Sequence, residues 1–427
     1  MEVPLTGVFA FILLIPAILI GHKVFLHYAI FFMPFSAVSV FNFTASENTI
    51  SYSLFFSLTY LISFLIFRLG VFNLLKVKFG VVGFVFIFYL FIIHFFLENN
   101  LSNDQFINEF SYFQLLYLII GVLLTLSIAI DIYKHGYYVR VLNTIVFSMF
   151  IAGLVGLYQV LSFNYGLYYP VEYFNNSISP YAQGYSAVLG DGLKRISSVS
   201  TEPSIFAQWL VVCSSIFIFM KLLGTKLGVF TGIVLINNFF ILVLSTSATA
   251  YIGIFILFGL ILFTKLTLKK NLEFLVLIIA FTLLVFIFSA PYIAELILLK
   301  LSSYSFMERF SSIIFGWLAF LESPLVGSGW GVITVHSLIV GLLANTGLIG
   351  LIIFCYWMCR EISMSIKFSV EKKALFNGQS VLFSVFILII LQVVTGFVYT
   401  YSFYWIIFGI LVGQNLLAYS YRKQTRL

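Results

Sequence analysis

Charge is what this chain has least of: Asp, Glu, Lys and Arg together make up 9% of 427 residues, against 62% hydrophobic residues and 52 phenylalanines. That poverty excludes an ordinary water-soluble domain, whose surface needs far more ionised side chains. Cysteine is nearly as scarce. Cys213, Cys355 and Cys359 fall in apolar runs or just past the inner edge of one, which suggests neither a disulfide framework nor a metal-ligand spacing. No Asp-x-Asp pair stands in the segments assigned below to the outer face, so a carboxylate site for a divalent cation is not indicated. The first apolar run follows Glu2 rather than a basic stretch and has no small-residue cleavage site, so it reads as a retained span.

What is present instead is a succession of apolar runs of about 17 to 22 residues, each able to cross ~30 Å of hydrocarbon as a helix. Because lipid offers the backbone no hydrogen bonds, the expected fold is an all-α polytopic transmembrane bundle of about 12 to 14 spans, one membrane domain over 1–427. We place spans near 4–21, 24–43, 51–67, 81–97, 113–130, 141–160, 204–220, 227–244, 249–264, 272–289, 336–354, 379–396 and 402–419. The net charge of +7 is then a topology signal rather than a call for nucleic acid. With these spans, only four of the 22 basic residues, Lys194, Arg195, Lys300 and Arg309, leave the side that carries Lys23, Lys76, Lys134, Lys226, Lys270, Lys372 and Lys423. The basic side is the cytoplasm by the positive-inside rule, and most acids lie opposite.

The first 160 residues offer little chemistry. His22, His27 and His94 read as packed or interfacial histidines without a role, while Arg68, Asp131 and His135 fall in cytoplasmic turns, where solvation is the default. Composition changes in the two long outer segments, 161–203 and 290–335. The first is rich in Tyr, Asn and Gly and includes Tyr185; its rings could stack on sugars or form an interfacial aromatic belt. It ends in Thr201-Glu202-Pro203-Ser204, helix-start chemistry with Thr201 as N-cap and Pro203 in the first turn.

Cations placed against the inside tendency need a reason. Phosphate binding is one, since guanidinium forks match phosphate oxygens; salt bridges to Glu202 and Glu308 are the other. Phe306, Arg309, Phe310, Ile313, Trp317 and Phe320 recur mostly at helical spacing and predict an amphipathic helix in the headgroup layer, with Arg309 able to face lipid phosphates. Pro324 ends it. The Gly327, Gly329, Gly331 turn could offer backbone N–H groups to an anion. His336 and Gly347 would share one face of the following helix. Between the two long segments, 244–251 is a short outer turn of small hydroxylated residues.

Two stretches together, RISSVSTEPS at 195–204 and PLVGSGWGVITVHSLIVGLLANTGLIG at 324–350, carry a resemblance to the O-antigen polymerase (Wzy) and O-antigen ligase (WaaL) superfamily. It covers the topology and about 70 residues of motif, and the Arg to Glu-Pro-Ser element resembles the polymerase-like members more. The 245–249 turn departs from the ligase-like pattern in lacking an arginine. The resemblance implies a GT-C-like, metal-independent glycosyltransferase without cofactor in a bacterial inner membrane, its site facing the periplasm. It would take an undecaprenyl-diphosphate-linked oligosaccharide as donor and a lipid-linked repeat unit as acceptor, with a chain-length regulator as a possible partner beside membrane lipid. Arg195 and Arg309 would bind the diphosphate, with Lys194, Lys300, Tyr185, Gly329 and Gly331 in the substrate site. His336 would be the base, with Glu202 beside it in the catalytic pair. A ligase acting on lipid A core, a flippase and a non-catalytic scaffold are the competing readings.

Overall fold

The computed structural model describes residues 1–44, 47–68, 78–100, 109–179, 182, 185, 188–189, 193–267, 304–371, 378–396 and 400–424. Lys300 and the expected span at 272–289 lie outside them. The described chain is built from fourteen helices and two small hairpins. It begins with α1 (Leu5–Ile20) and α2 (His22–Phe31), followed by the antiparallel pair β1 (Ser39–Phe43) and β2 (Asn48–Ser51). Then come α3 (Tyr52–Arg68), α4 (Lys78–Asn100), α5 (Glu109–His135), α6 (Tyr138–Tyr165) and the single turn α7 (Val171–Phe174). A two-residue antiparallel pair, β3 (Val188–Leu189) and β4 (Leu193–Lys194), leads to α8 (Pro203–Leu222), α9 (Val229–Leu244) and α10 (Ala248–Thr267). The last four helices are α11 (Tyr304–Glu322), α12 (Leu338–Glu371), α13 (Gly378–Thr395) and α14 (Ser402–Gln424).

Six of these helices are long and apolar enough to cross a membrane, and five more are apolar but shorter, which makes this a multi-pass helical membrane protein. They coincide with every span expected from the sequence except 24–43 and the one outside the described residues. The 24–43 expectation fails. α2 has only ten residues, about 15 Å of helix, and stops before Pro34, which cannot donate to a helix and disfavours helical backbone in the residue preceding it. The apolar sequence continues, but as loop and strand.

The bundle is knitted by close backbone approaches. α5 and α14 touch where Gly121 faces Trp405: a Cβ there would stand 2.2 Å from the indole ring, so only hydrogen lets the helices meet. The Thr125 hydroxyl donates to the Trp405 carbonyl at 2.9 Å beside it. α8 is buried almost all round, with Phe206, Trp209 and Phe219 fully enclosed.

Asp131 corrects a second expectation. It is 0% exposed within α5, not solvated in a turn. Its Oδ2 lies 2.8 Å from His22 Nε2 and accepts the Tyr60 hydroxyl at 2.8 Å, while His22 Nδ1 meets the Ser63 hydroxyl at 2.8 Å. Three chain segments far apart in sequence therefore meet on one carboxylate.

Candidate functional site

The stretch 195–202 is not an open loop. Residues 196–201 are buried, threaded into the bundle with many of their polar groups hydrogen-bonded to neighbouring segments. Gln159 Oε1 accepts the N–H groups of Ser197 and Ser198 at 3.0 and 2.8 Å. The Ser198 hydroxyl donates to Ala152 O, the Ser200 hydroxyl to Pro34 O, and the Ala37 N–H to Val199 O. Ser198 adopts φ 53°, a left-handed conformation that costs a non-glycine residue about 1–2 kcal/mol and that these contacts hold in place. The broken end of α2 thus serves a purpose: the segment after it forms the wall against which the second irregular segment is hydrogen-bonded. At its exit the N-cap position of α8 is Glu202, not Thr201, with Pro203 as the first helical residue. Thr201 instead bonds Tyr401 Oη at 2.8 Å, and the Ser204 hydroxyl donates to Glu202 Oε2 at 2.8 Å.

The second arm of the site corrects the placement of Arg309. α11 is amphipathic as expected, but the exposed stripe is Phe310, Ile314, Trp317 and Leu321. Arg309 lies on the other side with Ser312, Gly316 and Ala319, where Gly316 and Ala319 pack against Val335, Val340 and Ala344. Arg309 is therefore half-buried on the packed side of the helix, not on its exposed stripe.

The glycine turn does not offer its N–H groups freely either. α12 is interrupted at Gly347 (φ 63°, ψ −170°), and the turn is sewn into the gap. Ser328 and Gly329 donate to the carbonyls of Ala344 and Asn345 at 2.9 and 3.0 Å. In return the N–H groups of Leu348 and Ile349 bond to Pro324 and Leu325 at 2.9 and 3.2 Å. Gly329 is consequently a structural donor, and Gly331 lies against Gln114 of α5. A Cβ on Gly347 would fall 2.2 Å from Leu325 O, so both the left-handed angle and the approach demand glycine. The Asn345 side chain completes the stitching, accepting the Ile333 N–H at 3.0 Å and donating to Ile333 O at 2.9 Å. Because the helix starts at Leu338 and breaks at Gly347, His336 and Gly347 do not share a helical face.

What the stitching delivers is the loop that carries His336 to Arg309. His336 is half-buried, and its imidazole is depressed to about 4, first by burial and then by the Arg309 charge. The same guanidinium acts on Arg195, whose pKa is lowered by burial and by Arg309 and raised by Glu202. Glu202 also helps raise the Tyr401 phenol, after burial. Electrostatic contact therefore runs in a chain, from Glu202 to Arg195, from Arg195 to Arg309 and from Arg309 to His336. Among the described residues neither arginine forms an ion pair, so the salt-bridge explanation for these cations finds no support, and the Arg195 Nε–H is buried without a partner.

Lys194 and Tyr185 stand apart from this cluster. The Lys194 ammonium sits 5.0 Å above the Phe163 ring and 5.2 Å above Tyr185, and Tyr185 stacks on Tyr169 at 4.6 Å with its hydroxyl 3.1 Å from Ser162. They form an aromatic block beside the threaded loop, with one Tyr185 face already covered. Sequence reasoning missed Ser312, Asn345, Gln159 and Tyr401. No protein-family model matches the chain, and no curated protein matches it.

Proposed function

We propose that this protein is a GT-C-like membrane glycosyltransferase of the O-antigen polymerase type, working at the periplasmic face of a bacterial inner membrane. It would transfer a glycan from a polyprenyl-diphosphate donor to a lipid-linked repeat unit. The observation that carries the reading is that Arg309 acts electrostatically on both Arg195 and His336, while neither arginine forms an ion pair among the described residues and the Arg195 Nε–H is buried without a partner. Such a site has unbalanced positive charge where an anion of two or more charges would compensate it.

In this reading the bond from the anomeric carbon to the diphosphate oxygen breaks, and its electron pair leaves with the diphosphate, where Arg195 and Arg309 stabilise the growing charge. The acceptor hydroxyl oxygen forms the new bond to the same carbon and gives its proton to His336. A neutral imidazole is the form a base requires, and a histidine held near 4 is neutral at physiological pH. It is also a weak base until the diphosphate offsets the Arg309 charge, so substrate binding itself strengthens it. Glu202, next to Arg195 and Tyr401, is suited to orient the guanidinium or accept from sugar hydroxyls. Purified protein in vesicles, given a lipid-linked repeat unit, should extend it into a ladder of longer glycans. Normal folding with no chain extension, or transfer only to lipid A core, would overturn the polymerase reading.

A further inference from the structure

At the end of α12 opposite His336, a groove of about 410 Å³ runs along one helix face, lined by Tyr356, Cys359, Arg360, Ser363, Met364 and Lys367. We propose that this groove holds an anionic phospholipid of the cytoplasmic leaflet, its phosphate between Arg360 and Lys367 and an acyl chain along the apolar strip above them.

The spacing supplies the geometry. Positions 356, 360, 363 and 367 succeed one another every three or four residues, so they form a continuous stripe about 16 Å long. The same stripe continues toward the membrane interior as Ile352, 66% exposed, and Ile349, 40% exposed, which gives hydrocarbon a track to lie on. Tyr356, 61% exposed, stands at the change from apolar to cationic wall, the level at which an amphipathic ring is stable in a bilayer.

The charge supplies the occupant. Arg360 is not a freely waving surface cation. It is half-buried and lies 3.7 Å from the carboxylate of Glu361, which is itself buried and held by Asn415 Nδ2 through its carbonyl at 3.0 Å and its Oε2 at 3.4 Å. The guanidinium therefore stands half-buried at the groove beside one carboxylate, its donors open to a further acceptor, and Lys367 adds a second positive charge two turns on. One carboxylate against two cations leaves a net charge that a phosphodiester balances, and the fork of Arg360 fits its two free oxygens. A neutral lipid would satisfy the strip but not the cations; free phosphate would do the reverse.

Native mass spectrometry of the intact protein with phosphatidylglycerol, phosphatidylcholine or inorganic phosphate tests this. The expected result is retention of phosphatidylglycerol at activation energies that strip phosphatidylcholine, with about tenfold weaker retention in an Arg360→Gln, Lys367→Gln double variant. A second variant, Met364→Trp, keeps both charges but fills the groove, and should lose retention as well if lipid lies in it. In a Cys355→Ser background, phosphatidylglycerol and not inorganic phosphate should slow maleimide labelling of the exposed Cys359. Equal retention of the two phospholipids, or unchanged phosphatidylglycerol retention in the Met364→Trp variant, would overturn the proposal. So would protection of Cys359 that follows protein concentration instead of lipid, since a second copy of the chain would then be the occupant.

Discussion

Ser312 holds His336 by the backbone: its hydroxyl oxygen accepts the His336 N–H at 3.2 Å while the hydroxyl donates to Arg309 O at 2.8 Å. One side chain thereby fixes how far the histidine stands from the turn of helix that bears the arginine. On the proposed mechanism, Ser312→Ala should leave protein levels and donor binding near wild type while lowering the rate of chain extension about tenfold, because it loosens His336 without removing it. A matching drop in donor affinity would show that Ser312 acts on binding rather than on placement.

For the arginines, the expected discriminator is shape and not charge. Arg195→Lys and Arg309→Lys keep the positive charge but lose the planar fork, and each should cost about 10²-fold or more in extension at normal expression. Full activity in both would leave these residues as general attractors of anions.

His336→Gln should fold, bind the donor and fail to extend it, with a loss of ~10² to 10⁴ in rate. The pH dependence gives a second check. The free enzyme's imidazole is held at about 4, so the acid limb of kcat/KM should lie well below the ordinary histidine range. In the donor complex the diphosphate offsets Arg309, and the acid limb of kcat should lie at higher pH. Coincident limbs would count against a histidine that the substrate strengthens. For stability the sign is also set: between pH 6.5 and 4 the unfolded chain binds a proton at this position that the folded chain refuses. Acid should therefore destabilise the wild type more than His336→Gln through that window.

Removing one partner of the buried His22 and Asp131 pair should be costly although neither residue belongs to the proposed site. Asp131→Ala leaves His22 and Tyr60 without their shared acceptor and should cost about 3–5 kcal/mol, read as a lower melting temperature. His22→Ala and Asp131→Ala together should cost less than the sum of the two.

Most of the helices were legible because hydropathy and length are local properties. α2 was not, because Ser39-Val40-Phe41-Asn42-Phe43 is as apolar as a span and only the hairpin partner 48–51 reveals it as a strand. Asp131 was misread for a related reason: its partners are contributed by α2 and α3, and no local pattern announces them. Arg195 and Arg309 stood out in the sequence because they opposed the charge bias, and His336 because it follows the glycine turn, but the side of its helix on which Arg309 packs did not. A signal for that was present. Ser312, Gly316, Ala319 and Ser323 recur at helical spacing beside Arg309, and small residues on one face mark where another segment packs. The threading of 195–202 and the break at Gly347 depend on hydrogen bonds between distant segments, which composition does not encode.

The interruption of α12 also sets an order of events during biogenesis. Before the 324–329 turn arrives, Ala344 and Asn345 have carbonyls, and Leu348 and Ile349 have N–H groups, that nothing but a continuous helix could satisfy in lipid. The segment should therefore enter the bilayer unbroken and open only when the turn docks, exchanging two hydrogen bonds of a helix for four of a clasp. Gly347 is what permits that exchange without a steric barrier. His336 then reaches its position only at this last step, so a chain halted earlier would be inserted and helical but would lack the Ser312 to His336 bond.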